Sequence, residues 1–329
     1  MVGSRIYLAD VTIIGAGVMG MMSALELAEA GLIVSVFDKG QAGQEASWAG
    51  GGIISPLYPW RYAPPITALA TWSQQAFPDL IASLSELTGI DSELSNEGML
   101  VTATEEREKA LAWGVGLSPK VIEISDKDAR ALEPNVQLDE TPLWMPSISS
   151  VRNSRMGRAL RQACLRHPRI RLLEYHEVLL SGNLDSPIIS SRGKRYSSDR
   201  VVLAAGAWTG NMFLGINLSC PIKPMKGQML LFSPCYLVNR VVLAKGRYAI
   251  PRADGRIVFG STLEDVGFER IPDRDAFDSL YASALSMIPV LEKIPIDAQW
   301  AGLRPGSPEG LPWIGAVSDK LWVNSGHFR

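Results

Sequence analysis

The sequence predicts a mixed α/β (α+β) chain of two domains, one built on a parallel sheet and one on a mostly antiparallel sheet. Three observations carry this prediction. The first sixty residues read as strand, glycine turn, helix and strand, the repeating unit of a parallel sheet. From Pro221 onward the pattern changes to short strands separated by turn residues. The length, 329 residues, is generous for one compact domain and comfortable for two.

Each element of the first stretch has a physical reason. Val11 to Ile14 are β-favouring and stand directly before Gly15-x-Gly17-x-x-Gly20. Gly15 permits the tight turn, Gly17 lets backbone approach a pyrophosphate, and Gly20 lets helix and strand pack closely. The helix "MMSALELAEAG" follows and stops at Gly31, after which "LIVSVFD" forms a buried strand ending in Asp38, eighteen positions past Gly20. The helix N-terminus faces phosphates with unpaired N–H groups, and Asp38 accepts from a ribose. This is a Rossmann-like dinucleotide unit, which by itself leaves NAD and FAD both open. In "GQEASWAGGGIISP", Ser47, Ala49, Gly50, Gly51 and Gly52 carry almost no side chain. Such a segment lies against a large flat ring such as an isoalloxazine, or is a flexible loop.

Further along, apolar positions at helical spacing between Pro64 and Gly89 predict one long amphipathic helix or a broken pair. "GMLVTAT" reads as a strand, "EEREKALAWGV" as a surface helix, and "SDKDARALEP" as a helix capped by Ser125. Asn153 is expected to cap the helix carrying Cys164. Short strands follow from Ile170 to Ser190, then a buried strand at Val201 to Leu203. Beyond it Ala204, Ala205 and Gly206 allow close approach at a carboxyl strand end, where open parallel sheets bind ligands. Trp208 is expected to pack. "PMKGQMLLFS", "RVVLAKG", "RYAIPR" and "RIVFGST" form the antiparallel part, and a helix from about Asp273 to Ile288 precedes "AQWAGLRPG" and the strand "LWVNSG". In "WAGLRPGSPEGLPWIG", Arg304 stands among small and apolar neighbours, so a carboxylate of the protein or of a ligand must answer it.

Composition excludes several function classes. Hydrophobic residues make up 47% and charged residues 20%, enough for a real core. A formal net charge of −2 offers no footprint for nucleic acid or an anionic membrane, so neither is an expected partner. Cys164, Cys220 and Cys235 are scattered and odd in number, against a disulfide framework. His167, His176 and His327 are too few for a zinc cluster, so no metal is expected. The first ten residues lack a basic stretch followed by an apolar one, and Glu26 and Glu29 interrupt the run from Val11 to Phe37. A cytoplasmic location without a membrane span is therefore expected.

Five stretches together resemble the FAD-dependent D-amino-acid oxidase superfamily, and within it the bacterial glycine oxidases of the thiamine pathway. They are "VTIIGAGVMG", "ASWAGGGIISPLYPWRY", "VVLAAGAWTG", "KGRYAIPRADG" with "FGST", and "WAGLRPGSPEGLPWIG" leading to "SGHFR". The resemblance spans essentially the whole chain and implies noncovalent FAD. Besides Gly15, Gly17 and Gly20, it implies FAD contacts at Val18, Met19, Asp38, Lys39, Ala46, Ser47, Gly51, Gly52 and Val178. Gly206, His327, Phe328 and Arg329 complete the expected cofactor site. Arg304 matches the arginine that binds the substrate carboxylate, Tyr248 a tyrosine that helps hold it, and Arg329 a residue touching substrate and flavin site. Two positions depart from the pattern: Gly246 stands where a histidine is known, and Leu263 where a methionine is known. The family also continues beyond Arg329 with Asn-Gly and a helix aimed at the flavin pyrimidine. A chain ending at Arg329 is expected to hold FAD more weakly than one carrying those residues.

The implied reaction is oxidation of glycine and small amino acids by hydride transfer from Cα to the flavin, with oxygen as final acceptor. No residue is assigned as acid or base. The expected partners are a small amino-acid substrate and molecular oxygen, with a homo-oligomer left open. Competing readings are a sarcosine or D-amino-acid oxidase, a quinone-linked dehydrogenase, and a tRNA-modifying flavoprotein, the last disfavoured by the missing basic surface. Trp48, Tyr58 and Trp60 are expected near the site, narrowing it or covering it. The expected domains are discontinuous: residues 1–85, 145–215 and 302–329 bind FAD, while 86–144 and 216–301 bind substrate.

Overall fold

The computed structural model describes residues 6–115, 120–214, 216 and 219–328. The chain opens with β1 (Ile6–Ile14), α1 (Val18–Glu29), β2 (Val34–Phe37), the short α2 (Ala46–Ala49) and the long α3 (Pro64–Thr88). It then crosses to a second sheet through β3 (Met99–Ala103), α4 (Arg107–Gly114), β4 (Ile122–Glu123), α5 (Asp126–Leu132) and β5 (Leu143–Met145). A return through α6 (Asn153–Arg166) leads to β6 (Ile170–Leu173), β7 (Leu179–Asn183), β8 (Ser186–Ser191), β9 (Lys194–Leu203) and α7 (Thr209–Leu214). The second sheet resumes with β10 (Lys223–Phe232), β11 (Val241–Ala244), β12 (Arg247–Pro251), β13 (Ile257–Gly260), α8 (Arg274–Met287) and β14 (Ile296–Gly306). Finally β15 (Trp313–Ala316) and β16 (Leu321–Ser325) rejoin the first sheet.

In the first sheet the order is β15-β16-β9-β1-β2-β6, with β7 and β8 branching from β9. β16, β9, β1, β2 and β6 run parallel. Its two faces are covered by separate apolar layers. Ile13, Met21, Ala24 and Leu160 bury one face beneath α1 and α6, while Ile14, Phe37, Leu203, Phe213 and Val323 bury the other. The strands therefore read as continuous apolar runs rather than alternating ones.

The second sheet has the order β14-β10-β13-β12-β11-β3-β5-β4 and is antiparallel except where β11 meets β3. Alternation splits its side chains. Leu230, Phe232 and Phe259 pack under α8, whereas Met229, Tyr248 and Ile250 face Tyr58 and Trp60. That second face looks toward α2 and the glycines after it.

Two local expectations resolve differently. The segment after Pro64 is one helix of 25 residues with Pro78 inside it, closed by Gly89 at φ 73°. Asn153 does not cap α6: Arg152 holds the cap position, and no side chain caps the helix there. The reason is packing, because a Cβ at Gly52 would lie 2.1 Å from Asn153 Oδ1. The amide is turned toward the glycine run instead of its own helix. Ser125 does cap α5, accepting from the Asp128 N–H at 3.1 Å. Among the described residues no helix is long and apolar enough to cross a membrane, and no side-chain cluster suits a metal ion.

Candidate active site

The glycine turn behaves as its spacing requires. Gly15 has φ 106°, and a Cβ there would lie 2.4 Å from the Ala204 carbonyl oxygen. A Cβ at Gly20 would fall 1.8 Å from the Gly15 carbonyl oxygen, so helix and turn meet only without side chains. Gly17 occupies the cap position of α1 with no side-chain cap of its own. Ser47 supplies one from a distance: its Oγ accepts the Val18 N–H at 2.9 Å. That contact brings α2, and hence Ala46 and Ser47, to the positive end of the helix.

Asp38 follows β2 directly rather than ending it. Its carboxylate accepts the Ala16 N–H at 2.7 Å and the Gly40 N–H at 2.8 Å. A carboxylate has about four acceptor sites, so capacity remains for a ribose hydroxyl. Burial pushes its pKa above the ordinary carboxylate value, against the pull of Gly40, Ala16 and Lys39. Lys39 lies with Nζ 3.2 Å from the Trp208 ring centroid, a cation–π contact, and 3.7 Å from Glu45. Val178 is buried beside Ile14 and Phe37, at the carboxyl ends of β1 and β2. Gly206 has φ 54° and would place a Cβ in open space.

The substrate half is built on the inward face of the second sheet. Tyr248 pairs with Gly260 across β12 and β13, and Gly260 pairs with Met229 on β10. A Cβ at Gly51 would lie 2.7 Å from Ile250 Cδ1 and 3.1 Å from Tyr248 Cε2. The glycine run thus presses onto the tyrosine. Trp300 Nε1 donates to the Ala49 carbonyl at 3.0 Å, and Gly302 leaves just enough room for the Ala49 methyl. Arg304, two residues further, lays its guanidinium over Gly227, where a Cβ would sit 2.1 Å from Nη1.

Among the described residues, neutral acceptors hold Arg304. Nη1 donates to the Thr262 carbonyl at 3.2 Å and Nη2 to Ser261 Oγ at 2.6 Å. Among the described residues it makes no ion pair within 4.0 Å of a carboxylate. Two of five N–H donors are used, which leaves three for a ligand. The alternative posed by its sequence setting, a protein carboxylate, is not what the fold provides.

The family model described as FAD dependent oxidoreductase (DAO) matches residues 10–329. The chain belongs to this family. It is 44% identical over 326 residues to a Pseudomonas aeruginosa protein named glycine oxidase, covering 97% of this chain and 89% of that one. The crystal structure of glycine oxidase from Geobacillus kaustophilus superposes with a TM-score of 0.91 at 28% identity, covering 98% of this chain and 90% of that one. A Synechocystis protein named bifunctional protein ThiO/ThiG is 28% identical over 339 residues, covering 98% of this chain and 49% of that protein.

The residues present fit the FAD that this family uses. Glycines clear the turn and the segment facing Tyr248, a helix N-terminus stands at the turn, and Asp38 keeps free acceptor sites. His327 Nδ1 is buried without a partner among the described residues, as is Asn153 Oδ1. Burial pushes the His327 pKa down to about 4, so the imidazole is neutral. Phe328 is half-buried beside it. Arg329 lies outside the described residues.

Several functional neighbours carry no signal in a sequence pattern. Ser261 and Thr262 sit inside "FGST", where only the position of Arg304 in space reveals their use. Arg252 is another: it donates to the Gly51 carbonyl at 2.9 Å and the Val151 carbonyl at 3.0 Å, tying the end of β12 to the glycine run. Tyr58 and Trp60 are buried at 4% exposure each, so they wall the site rather than cover it. The Tyr58 hydroxyl accepts the Gly246 N–H at 2.8 Å. Trp48 stays exposed and meets Trp300 edge-on at 5.8 Å.

Proposed function

We propose that this chain is an FAD-dependent glycine oxidase: glycine, water and oxygen give glyoxylate, ammonia and hydrogen peroxide. Bound FAD supplies the two-electron acceptor, which oxygen restores. The observation that carries the substrate class is Arg304, a guanidinium held by a carbonyl and a hydroxyl with no carboxylate against it among the described residues. A substrate carboxylate satisfies it through paired, charge-assisted hydrogen bonds, with Tyr248 beside it. That contact fixes the orientation of the short substrate and leaves its amine and Cα–H facing the glycine run.

Gly15, Gly17, Val18, Met19 and Gly20 would hold the FAD phosphates, Asp38 would accept from its ribose, and Gly51, Gly52, Gly206 and His327 would leave room for its ring. Residues 1–85 and 145–215 with the chain after β14 would form the cofactor domain and residues 86–144 and 216–301 the substrate domain, which residues 302–306, expected on the cofactor side, join by continuing β14 beside β10. A cytoplasmic role in supplying thiamine thiazole synthesis accords with the likeness to one half of the ThiO/ThiG protein. The test is turnover of glycine, sarcosine, D-alanine and methylamine by the holoprotein. The three amino acids should produce peroxide, glycine among the best, and methylamine none; rapid methylamine oxidation would rule out a carboxylate anchor.

A further inference from the structure

Arg304 is steadied through two residues that follow the end of a strand. β13 stops at Gly260, and past it Thr262 keeps one backbone bond to β10, its N–H donating to the Gln228 carbonyl at 3.2 Å, which leaves the Ser261 and Thr262 side chains and the Thr262 carbonyl outside the regular ladder. Something else must hold them, because a guanidinium aimed to within a fraction of an ångström needs acceptors that do not wander.

The structure provides a buried polar network directly beneath. Thr262 Oγ1 accepts the Gln228 N–H at 2.9 Å and donates to the Glu264 carboxylate. Gln228 is fully buried; its amide nitrogen donates to Glu264 at 3.0 Å and also to Asp273. Its amide oxygen accepts the Asp273 N–H at 3.0 Å and Gln299 Nε2 at 3.2 Å. Lys226, 2% exposed, places Nζ 3.2 Å from Asp273, 3.5 Å from Glu264 and 3.7 Å from Glu269. Lys226 and Glu264 also exchange both backbone hydrogen bonds at 2.9 Å.

Strand alternation gives this network its meaning. Lys226 and Gln228 point to one face of β10, while Gly227 between them points to the other and lies under the Arg304 guanidinium. The buried Lys226 ammonium meets three carboxylates, of which Glu264 is half-buried and Glu269 and Asp273 reach solvent, and an apolar residue at 226 would serve stability as well. What apolar residues cannot do is fix the rotation of a threonine hydroxyl and the carbonyl attached to it.

We propose that Ser261 and Thr262 are positioning residues for Arg304, set by the network of Lys226, Gln228, Glu264 and Asp273. This rests on the reading of Arg304 as the carboxylate anchor. Their contribution is to hold two N–H donors of the guanidinium so that the rest present themselves to the substrate in one orientation. Neither residue takes part in the chemistry.

The experiment uses the FAD-loaded full chain and two probes, glycine for turnover and acetate as a carboxylate-only competitor. Thr262→Val should raise the glycine KM and the acetate inhibition constant about tenfold each, while kcat falls less than about twofold. FAD affinity should be unchanged, and Thr262→Ser, which keeps the hydroxyl, should restore both constants. Ser261→Ala tests the same idea without touching the network and should weaken acetate by a similar factor. In an Arg304→Ala background, neither substitution should weaken acetate further. If Arg304→Ala weakens acetate but Thr262→Val and Ser261→Ala do not, the positioning proposal is overturned and the anchor stands. If Arg304→Ala leaves acetate binding intact, the anchor reading itself fails.

Discussion

At the scale of single residues, the strongest constraint is charge without a partner. Arg304 was legible as a puzzle in the sequence, since a lone guanidinium among Gly, Leu and Pro demands an explanation. What answers it was not legible, because Ser261 and Thr262 follow a different strand, β13, and reach Arg304 only through the β10–β13–β14 register. Arg304→Ala removes a charge-assisted contact on the order of 3 kcal/mol, so kcat/KM for glycine should fall roughly a hundredfold. Steady-state peroxide assays measure this, and near-normal turnover would place the carboxylate elsewhere. His327 offers a second residue-scale test. Its folded pKa, about 4, lies below the ordinary 6.5, so between those values the unfolded chain takes up a proton that the folded chain does not. Stability should therefore decline as pH falls from 6.5 toward 4, with no further loss from this group below 4. His327→Asn should show a smaller drop in melting temperature over that window; an identical drop would mean that the imidazole is not held neutral.

Elements were readable where one physical demand decides them. The β1–α1–β2 unit follows from glycines that no other residue replaces, and the four strands β10 to β13 follow from their turns. The glycine run after α2 was read for a flat ring. The fold adds that Gly52 and Gly50 are also required by Asn153, and Gly51 by Tyr248 and Ile250. That is why the expected asparagine cap went unused: pattern rules see the helix start but not the backbone that passes over it. Gly20→Ala should separate α1 from its turn, because the added carbon would lie 1.8 Å from a backbone oxygen that cannot move aside. A loss of roughly 1–3 kcal/mol in urea denaturation and a clear loss of FAD affinity are expected. Unchanged values for both would show that close helix–turn packing is not what the third glycine serves.

For the whole molecule, the chain visits each sheet more than once, and this interleaving places α2 and its glycines against the inward face of the second sheet. Composition gave no hint of it; the order of strand patterns did, because antiparallel strands are flanked on both sides by segments that rejoin a parallel sheet. The seam so formed has the glycine turn on one side and Tyr248, Met229 and Arg304 on the other, where the proposed oxidation would take place. Cys164 is buried with its thiol pushed up to about 12, an inert group with no part in tethering a cofactor. Acid precipitation of the yellow protein should therefore release all FAD into the supernatant, whereas colour kept in the pellet would reveal a covalent link. The most direct test of the central claim, that an arginine-anchored amino acid is oxidised by flavin at this seam, is anaerobic mixing of the holoprotein with glycine. The expected result is complete bleaching of the visible flavin band by glycine in wild type, slow bleaching in Arg304→Ala, and none with methylamine. A wild-type flavin that stays oxidised in saturating glycine would contradict the account.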